Sequence, residues 1–150
     1  MIATAQDIVS LGFDADLLNQ SDEIPEGDDA SPLTLYVQKA IRRAATRLAR
    51  WVSQERYDEI EAREADDPLR EAYLHAEALL AIAELLPVVY ARNIASEEQV
   101  EIEGLRLRFR NLSKDEQAFQ LSQLITQAEA HVITELVNGS VSTGEGFVVL

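Results

Sequence analysis

The chain has 150 residues, with 27 Asp and Glu against 13 Lys and Arg, a formal charge of -14, and no cysteine. A single domain of this length buries roughly two-thirds of its unfolded surface around one core. The absence of cysteine excludes disulfides and thiolate metal sites. The negative charge argues against a general affinity for nucleic-acid phosphates or anionic lipid.

Membrane and secretory segments are not expected. The opening residues MIATAQDIVS have no Lys or Arg before their short apolar stretch. The most apolar region, 78–91, is interrupted by Glu84 and Pro87. Both patterns are unlike a signal peptide or a spanning helix. The absence of cysteine fits an intracellular compartment.

The charges are unevenly distributed along the chain. Residues 1–38 carry eight acids and no base, whereas residues 39–52 carry five bases and no acid. The segments before and after residues 39–52 are all net acidic. The sequence therefore predicts one basic helix in an acidic protein.

The first half of the chain predicts a short helix, an acidic loop and a long helix. Thr4 and Asp7 have the spacing of a capping box for the short helix. Residues 19–31 are acidic, contain Pro and Gly, and predict an exposed loop. Ser31 and Pro32 then predict a helix to about Val52. Its buried face comprises Val37, Ile41, Ala44, Ala45, Leu48 and Val52, and its opposite face comprises Lys39, Arg42, Arg43, Arg47 and Arg50.

Two further helices are predicted before residue 93. The charged stretch after Val52 predicts a short surface helix with Tyr57 and Ile60 as its apolar anchors. Asp67 and Pro68 then begin a helix that continues to about Arg92. Because that helix is apolar nearly all round, it is expected either at the centre of the fold or against another subunit.

Residues 98–110 predict a β-hairpin because their apolar residues alternate. A two-residue turn at Glu103 and Gly104 would pair Val100 with Leu107, and would also pair opposite charges across the strands. Glutamate is a poor residue for positive φ, so a longer loop with a bulge at Gly104 remains open. Since an isolated hairpin is marginal in water, we expect Val100, Leu107 and Phe109 to contact a neighbouring subunit or another protein of the assembly. The alternative is that the hairpin belongs to the core of its own subunit.

The last predicted helix begins at a capping box, Ser113 to Glu116, and ends near Val137. Its predicted inner face is Ala118, Leu121, Leu124, Ile125, Ala128, Val132 and Leu136. Residues 138–150 predict an extended tail that becomes ordered on a partner, with folding back onto its own helices as the alternative. The uncharged end of this tail consists of Phe147, Val148, Val149 and Leu150.

These elements predict one mainly α domain spanning residues 1–150. It is a small bundle of three long helices with a short N-terminal helix, one β-hairpin and an extended C-terminal tail. The acidic loop lies at 19–31, the hairpin at 98–110 and the tail at 138–150.

Catalytic and metal chemistry is not expected from the sequence. Glu71 and His75 have the spacing that brings two ligands toward one ion, but two ligands are too few and His131 is the only other imidazole. We therefore predict no metal site and no cofactor, with both histidines as ordinary surface or interface residues. The acidic residues of 55–67 predict a solvated face. Phosphate loops, nucleophile elbows and zinc motifs are absent, so an enzyme is not expected.

The basic helix face has three interpretations that the sequence leaves open. The five bases could neutralise acids within the subunit, pair with another subunit or bind a foreign partner. Exposed ion pairs contribute too little to decide among these. Stacking aromatic residues for single-stranded nucleic acid are not interleaved with the bases, so specific nucleic-acid binding is disfavoured.

Three stretches resemble the small helical head-to-tail connector, or adaptor, proteins of tailed bacteriophages. ATAQDIVSLGFD is similar to the family's short N-terminal helix, and YVQKAIRRAATRLARWVSQERYDE is similar to its Ala-rich first long helix, with terminal aromatics Trp51 and Tyr57. LREAYLHAEALLAIAELL is similar to the second, Ala- and Leu-rich, helix. The resemblance covers about the first 90 residues, and the hairpin and last helix depart from the shortest family members.

The resemblance implies a structural subunit of a ring, commonly twelvefold, in the virion neck. Such a ring lies beneath the portal protein, extends the channel through which DNA passes without specific binding, and offers a platform to a tail or stopper protein. Assembly would take place in the host cytoplasm. The basic face, Lys39, Arg42, Arg43, Arg47 and Arg50, is the expected subunit contact, and the tail end, Phe147 to Leu150, is the expected portal contact. The alternative is a small acidic helical regulator of a host protein that imitates the charge of DNA.

Overall fold

A computed structural model describes residues 1–13, 32–92, 99–109 and 111–136. The loop predicted at 19–31 and the tail predicted at 138–150 lie outside these residues. The elements are five helices, a hairpin of two antiparallel strands and a final turn of 3₁₀-helix, so the predicted mainly α class with one hairpin is confirmed. Their bounds are α1 Ala5–Ser10, α2 Pro32–Val52, α3 Gln54–Glu61, α4 Pro68–Arg92, β1 Gln99–Ile102, β2 Leu105–Arg108, α5 Lys114–His131 and the 3₁₀ turn Ile133–Glu135.

Helix α4 lies at the centre of the described fold. It packs mainly between α2 and α5 and also contacts α1 and α3. By length and composition α4 could cross a membrane, but 67% of its most apolar window is buried inside the fold. The apolar circumference is thus covered by the subunit's own helices, as expected for the central helix of a core.

Helix α2 lies against α4 through the apolar face that its periodicity predicts. Val37, Ile41, Leu48 and Val52 are each at most 3% exposed. Helix α3 is held by Tyr57 and Ile60, which are both buried, as predicted. The bases of α2 consequently lie on the side away from α4's core contacts.

The hairpin has the predicted register, with Val100 opposite Leu107 and Ile102 opposite Leu105. Glu103 has φ 49° and Gly104 has φ 83°, so a two-residue turn with both central residues at positive φ connects the strands. The alternative of a longer, bulged loop is therefore not needed.

The prediction that this hairpin contacts a neighbour through Leu107 and Phe109 is wrong for those two residues. They are 0% and 3% exposed, and the ring of Phe109 packs edge-to-face on Phe13 at 6.4 Å. The hairpin approaches the end of α1 closely because Gly12 has no side chain: a Cβ there would lie 3.0 Å from the carbonyl oxygen of Glu101. The marginal hairpin thus finds its covering surface within its own subunit.

Helix α5 begins with the predicted capping box of Ser113 and Glu116. It ends at His131, earlier than the predicted Val137, because the chain tightens into the 3₁₀ turn. Ala118, predicted to face inward, is exposed, whereas Gln120 is buried. Gln120 is accommodated there because its side-chain amide hydrogen-bonds to the backbone N–H and carbonyl of Arg108.

Candidate functional site

The basic face of α2 consists of Lys39, Arg42, Arg43, Arg47 and Arg50. Four of these side chains are exposed, and Arg47 is half-buried. The guanidinium carbon of Arg47 lies 5.8 Å from the ring centroid of Trp51, within the range of a cation–π contact. The face therefore combines several solvated charges with one arginine that an aromatic ring positions.

Little neutralisation of the basic face occurs within the described part of the chain. Its one ion pair there joins Nη1 of Arg43 to Oε2 of Glu84 over 3.8 Å. The Arg43 side chain remains 71% exposed. A long, exposed pair of this kind contributes little to stability. Among the three interpretations of the basic face, internal neutralisation is the one that the described contacts favour least.

The arginines line an open groove on the surface of α2. Its walls are Arg42, Arg43, Thr46, Arg47 and Arg50, with Glu84 of α4 at one side. Guanidinium groups present planar forks of N–H donors that match carboxylate oxygens in pairs. The groove can thus bind several carboxylates of an acidic surface at once.

The other predicted contact residues are differently placed. Leu107 and Phe109 belong to the core and are not accessible, and Val100 is half-buried. Phe147, Val148, Val149 and Leu150 lie outside the described residues. The basic face is thus the part of the predicted interface that the described structure leaves exposed.

A buried carboxylate on α4 holds the N-terminal segment. Glu77 is 0% exposed and accepts hydrogen bonds from the backbone N–H groups of Ile2 at 2.8 Å and Ala3 at 2.6 Å, and from the hydroxyl of Tyr57. Burial raises the pKa of the Glu77 carboxyl, although these donors act in the opposite direction. Burial beside Glu77 also raises the pKa of Tyr57. All these partners are parts of the fold, so Glu77 is a structural group.

A second cluster of polar side chains joins the hairpin turn to two helices. The carboxylate of Glu103 lies 3.1 Å from Nε2 of His131 and 3.4 Å from Nδ1 of His75. The two imidazole rings stack, with centroids 5.3 Å apart and an angle of 20° between their planes. One oxygen of Glu103 and one nitrogen of each histidine all lie within 4.8 Å of one another, which is close enough for one metal ion.

Sequence reasoning considered both histidines of this cluster but missed Glu103. It placed Glu71 beside His75, and Oε1 of Glu71 does lie 3.8 Å from Nε2 of His75. The sequence indicates Glu103 only as a turn residue, because the position of the hairpin relative to His75 and His131 is not visible in local periodicity. A signal was nevertheless present: a glutamate occupied a position for which positive φ favours Asn, Asp or Gly.

Comparisons with protein-family models, with curated proteins and with solved structures found no match for the chain. The resemblance to head-to-tail connectors therefore rests on the three quoted stretches of sequence. The function must be argued from those stretches and from the two sites described above.

Proposed function

We propose that the chain is the structural subunit of a ring in the neck of a tailed bacteriophage. The ring lies under the portal protein, extends the DNA channel and provides the platform for a tail or stopper protein. In this proposal the protein has no catalytic role, is assembled in the host cytoplasm and forms a homo-oligomer, with twelve as the expected number of copies. Three stretches of sequence similar to head-to-tail connectors support it.

The observation that carries the proposal is the basic face of α2, which is exposed and has one long ion pair among the described residues, in a chain of charge -14. Acidic surface is abundant on this chain itself, so a second copy is a natural partner. A contact between two different surfaces of identical subunits is heterologous, and repeated copies of it close into a ring when the rotation permits. Complementary charge would set the orientation and speed of that association.

The partner surface that we assign lies on α3 and the turn that follows it. Residues 54–67 contain seven acids and two arginines. Glu55, Asp58, Glu64 and Asp66 are exposed. Glu59 is already paired, with Nη1 of Arg56 at 2.9 Å and Nη2 of Arg63 at 3.4 Å. The four exposed acids, which form no ion pair with another described residue, are therefore the counterpart of the basic face on the next subunit.

The net charge also suits a channel that DNA crosses. Once the basic faces are covered by neighbouring subunits, the remaining surface of the ring is strongly acidic. An acidic wall repels phosphates and therefore does not bind DNA in the salt-dependent way that basic proteins do.

The mass of the purified chain, alone and mixed with a portal protein, tests the proposal. We expect a ring of roughly twelve times the 16.7 kDa subunit mass, either alone or on the portal. Light scattering coupled to size exclusion measures this directly. Because the contact is charged, assembly should weaken between about 0.1 M and about 1 M salt, where the screening length falls from about 10 Å to about 3 Å.

The same experiment separates the proposal from its alternative. A small acidic regulator would remain a monomer or dimer at every protein concentration and would not bind a portal. That result, obtained with a folded protein, would exclude the ring and favour a host-protein partner.

A further inference from the structure

We propose that His75, Glu103 and His131 form a binding site for one divalent transition-metal ion of the zinc type. The three ligands come from three elements: α4, the hairpin turn and the last residue of α5. The chain contains no other histidine and no cysteine, so all of its imidazoles meet at this point. The inference does not depend on the ring proposed above.

The separations between the Glu103 carboxylate and the two imidazole nitrogens fit a tetrahedral ion. Zinc binds imidazole nitrogen and carboxylate oxygen at about 2.0–2.2 Å, which places ligands at the tetrahedral angle about 3.3–3.6 Å apart. The Glu103 carboxylate lies 3.4 Å from Nδ1 of His75 and 3.1 Å from Nε2 of His131. The third separation, between the two imidazole nitrogens, is within 4.8 Å. Because an imidazole nitrogen binds a metal in the plane of its ring, the stacked rings must turn so that both nitrogens face the ion.

The ring nitrogen of His75 that faces Glu103 is a buried polar atom without a hydrogen bond among the described residues. Nδ1 is sealed from solvent and has no hydrogen-bond partner in the described part of the chain. Buried polar atoms without partners are rare in folded proteins, and a bound ion or water is a common explanation. On the opposite side of the ring, Oε1 of Glu71 lies 3.8 Å from Nε2. This distance is too long for a hydrogen bond, but a small shift of the exposed Glu71 side chain would form the N–H···carboxylate bond that orients metal-bound imidazoles.

Glu103 is better suited to binding a metal than to forming the hairpin turn. At φ 49° Glu103 occupies the left-handed region, where Asn, Asp or Gly would be less strained. Strain of this kind is typically held in place by the surrounding structure and concentrates at functional sites. The Glu103 side chain is only 20% exposed, and it turns back toward one ring nitrogen of each histidine. A shorter Asn or Asp would hold its oxygen farther from both rings.

Two imidazoles and one carboxylate are a ligand set suited to zinc and neighbouring transition metals. Magnesium and calcium prefer oxygen ligands throughout, so they should compete poorly. Three protein ligands leave a fourth position for water or for a group from a partner. Because the ion would join α4, the hairpin and α5, its binding should stabilise the folded chain.

Titration of the metal-free full chain at pH 7 with Co²⁺ and then Zn²⁺ tests the site. A millimolar excess of Mg²⁺ is included to occupy exposed carboxylates. We expect visible Co²⁺ absorption of tetrahedral type that saturates at one equivalent and is displaced by Zn²⁺. The Cε1 protons of both histidines should shift together in the NMR spectrum, and the melting temperature should rise with Zn²⁺ concentration.

Glu103→Gln and Glu101→Gln provide the matched pair of variants. Glu101 is an exposed acid on the same hairpin that does not belong to the cluster. Glu103→Gln should lower Zn²⁺ affinity at least about tenfold, which is the low end of the loss found even for supporting carboxylates. Glu101→Gln should bind as the unchanged protein does. Circular dichroism establishes that both variants are folded.

Three results would overturn the site. These are equal affinity for the two variants, displacement of Zn²⁺ by Mg²⁺, and the absence of histidine shifts at one equivalent. The histidine shifts are measured on the unchanged protein, so they test the metal site even if Glu103→Gln fails to fold. In each case the three side chains would be a hydrogen-bonded cluster only.

Discussion

The side-chain amide of Gln120 bonds to both backbone groups of Arg108. Its Oε1 accepts from the Arg108 N–H at 2.7 Å, and its Nε2 donates to the Arg108 carbonyl at 2.9 Å. The Gln120 side chain on α5 thus supplies hydrogen-bond partners to the backbone of the last residue of β2. Nε2 also donates to the hydroxyl of Tyr90 at 2.5 Å, so one side chain ties α4, α5 and the hairpin together.

Replacing this amide should destabilise the subunit. We expect Gln120→Leu to lower the free energy of unfolding by about 1–3 kcal/mol, because the backbone groups of Arg108 lose their partner in a partly buried site. Gln123→Leu, one turn away on α5, is the matched control and should change it by less than about 0.5 kcal/mol. Urea unfolding measures both, and equal effects would show that the amide bridge has no special role.

The two glycines within the described residues are both at positive φ and should respond differently to alanine. An alanine Cβ at position 104 would have no atom within 4 Å. Gly104→Ala should therefore lower the free energy of unfolding only through its left-handed backbone conformation, by about 1–2 kcal/mol. Gly12→Ala meets the carbonyl oxygen of Glu101 at 3.0 Å and has φ 111° as well. Its loss of stability in thermal or urea unfolding should be larger by at least about 1 kcal/mol. If the two variants were equally stable, the hairpin would not pack on this segment as described.

The buried carboxylate of Glu77 predicts a pH dependence of stability. Burial raises its pKa above the ordinary value of 4.5, so the folded state holds the proton to higher pH than the unfolded state does. The contribution of Glu77 to the free energy of unfolding is complete below about pH 4.5. It is lost as the pH rises through the pKa that the carboxyl has in the folded state. The stability of the unchanged protein minus that of Glu77→Gln should therefore decrease as pH rises.

Asp67 provides a control of opposite sign. Backbone N–H groups of Arg70 and Leu69 donate to its carboxylate and lower its pKa. Its contribution is present above the ordinary pKa and lost as pH falls through the folded pKa. The corresponding difference for Asp67→Asn should therefore increase with pH. Urea unfolding at several pH values measures both series, and parallel trends would contradict the account.

Local patterns of the sequence predict the elements and the register well. The buried face of α2 follows from a spacing of about 3.6 residues between apolar positions. The pairing of Val100 with Leu107 follows because only one register matches both apolar and charged neighbours across the strands. Both capping boxes follow from short-range spacing. Information of this kind is contained within one element or one turn.

Packing between distant elements could not be predicted in the same way. Leu107 and Phe109 alternate identically whether the hairpin covers its own core or a neighbour, so periodicity does not choose between these surfaces. Glu103 and His131 are 28 positions apart, and they meet only because the hairpin lies across α4 and α5. The basic face was visible in the sequence, whereas its lack of partners among the described residues required the fold.

The sedimentation mass of a charge-reversed variant tests the proposed assembly most directly. Arg43→Glu with Arg47→Glu reverses two charges of the basic face, and Arg106→Glu with Lys114→Glu makes the same change in net charge at exposed positions elsewhere. We predict that the first variant remains a folded monomer while the control assembles like the unchanged protein. Adding Glu55→Arg and Asp58→Arg to the first variant should restore assembly by exchanging the charges of both faces. A first variant that forms the same ring as the control would contradict the account.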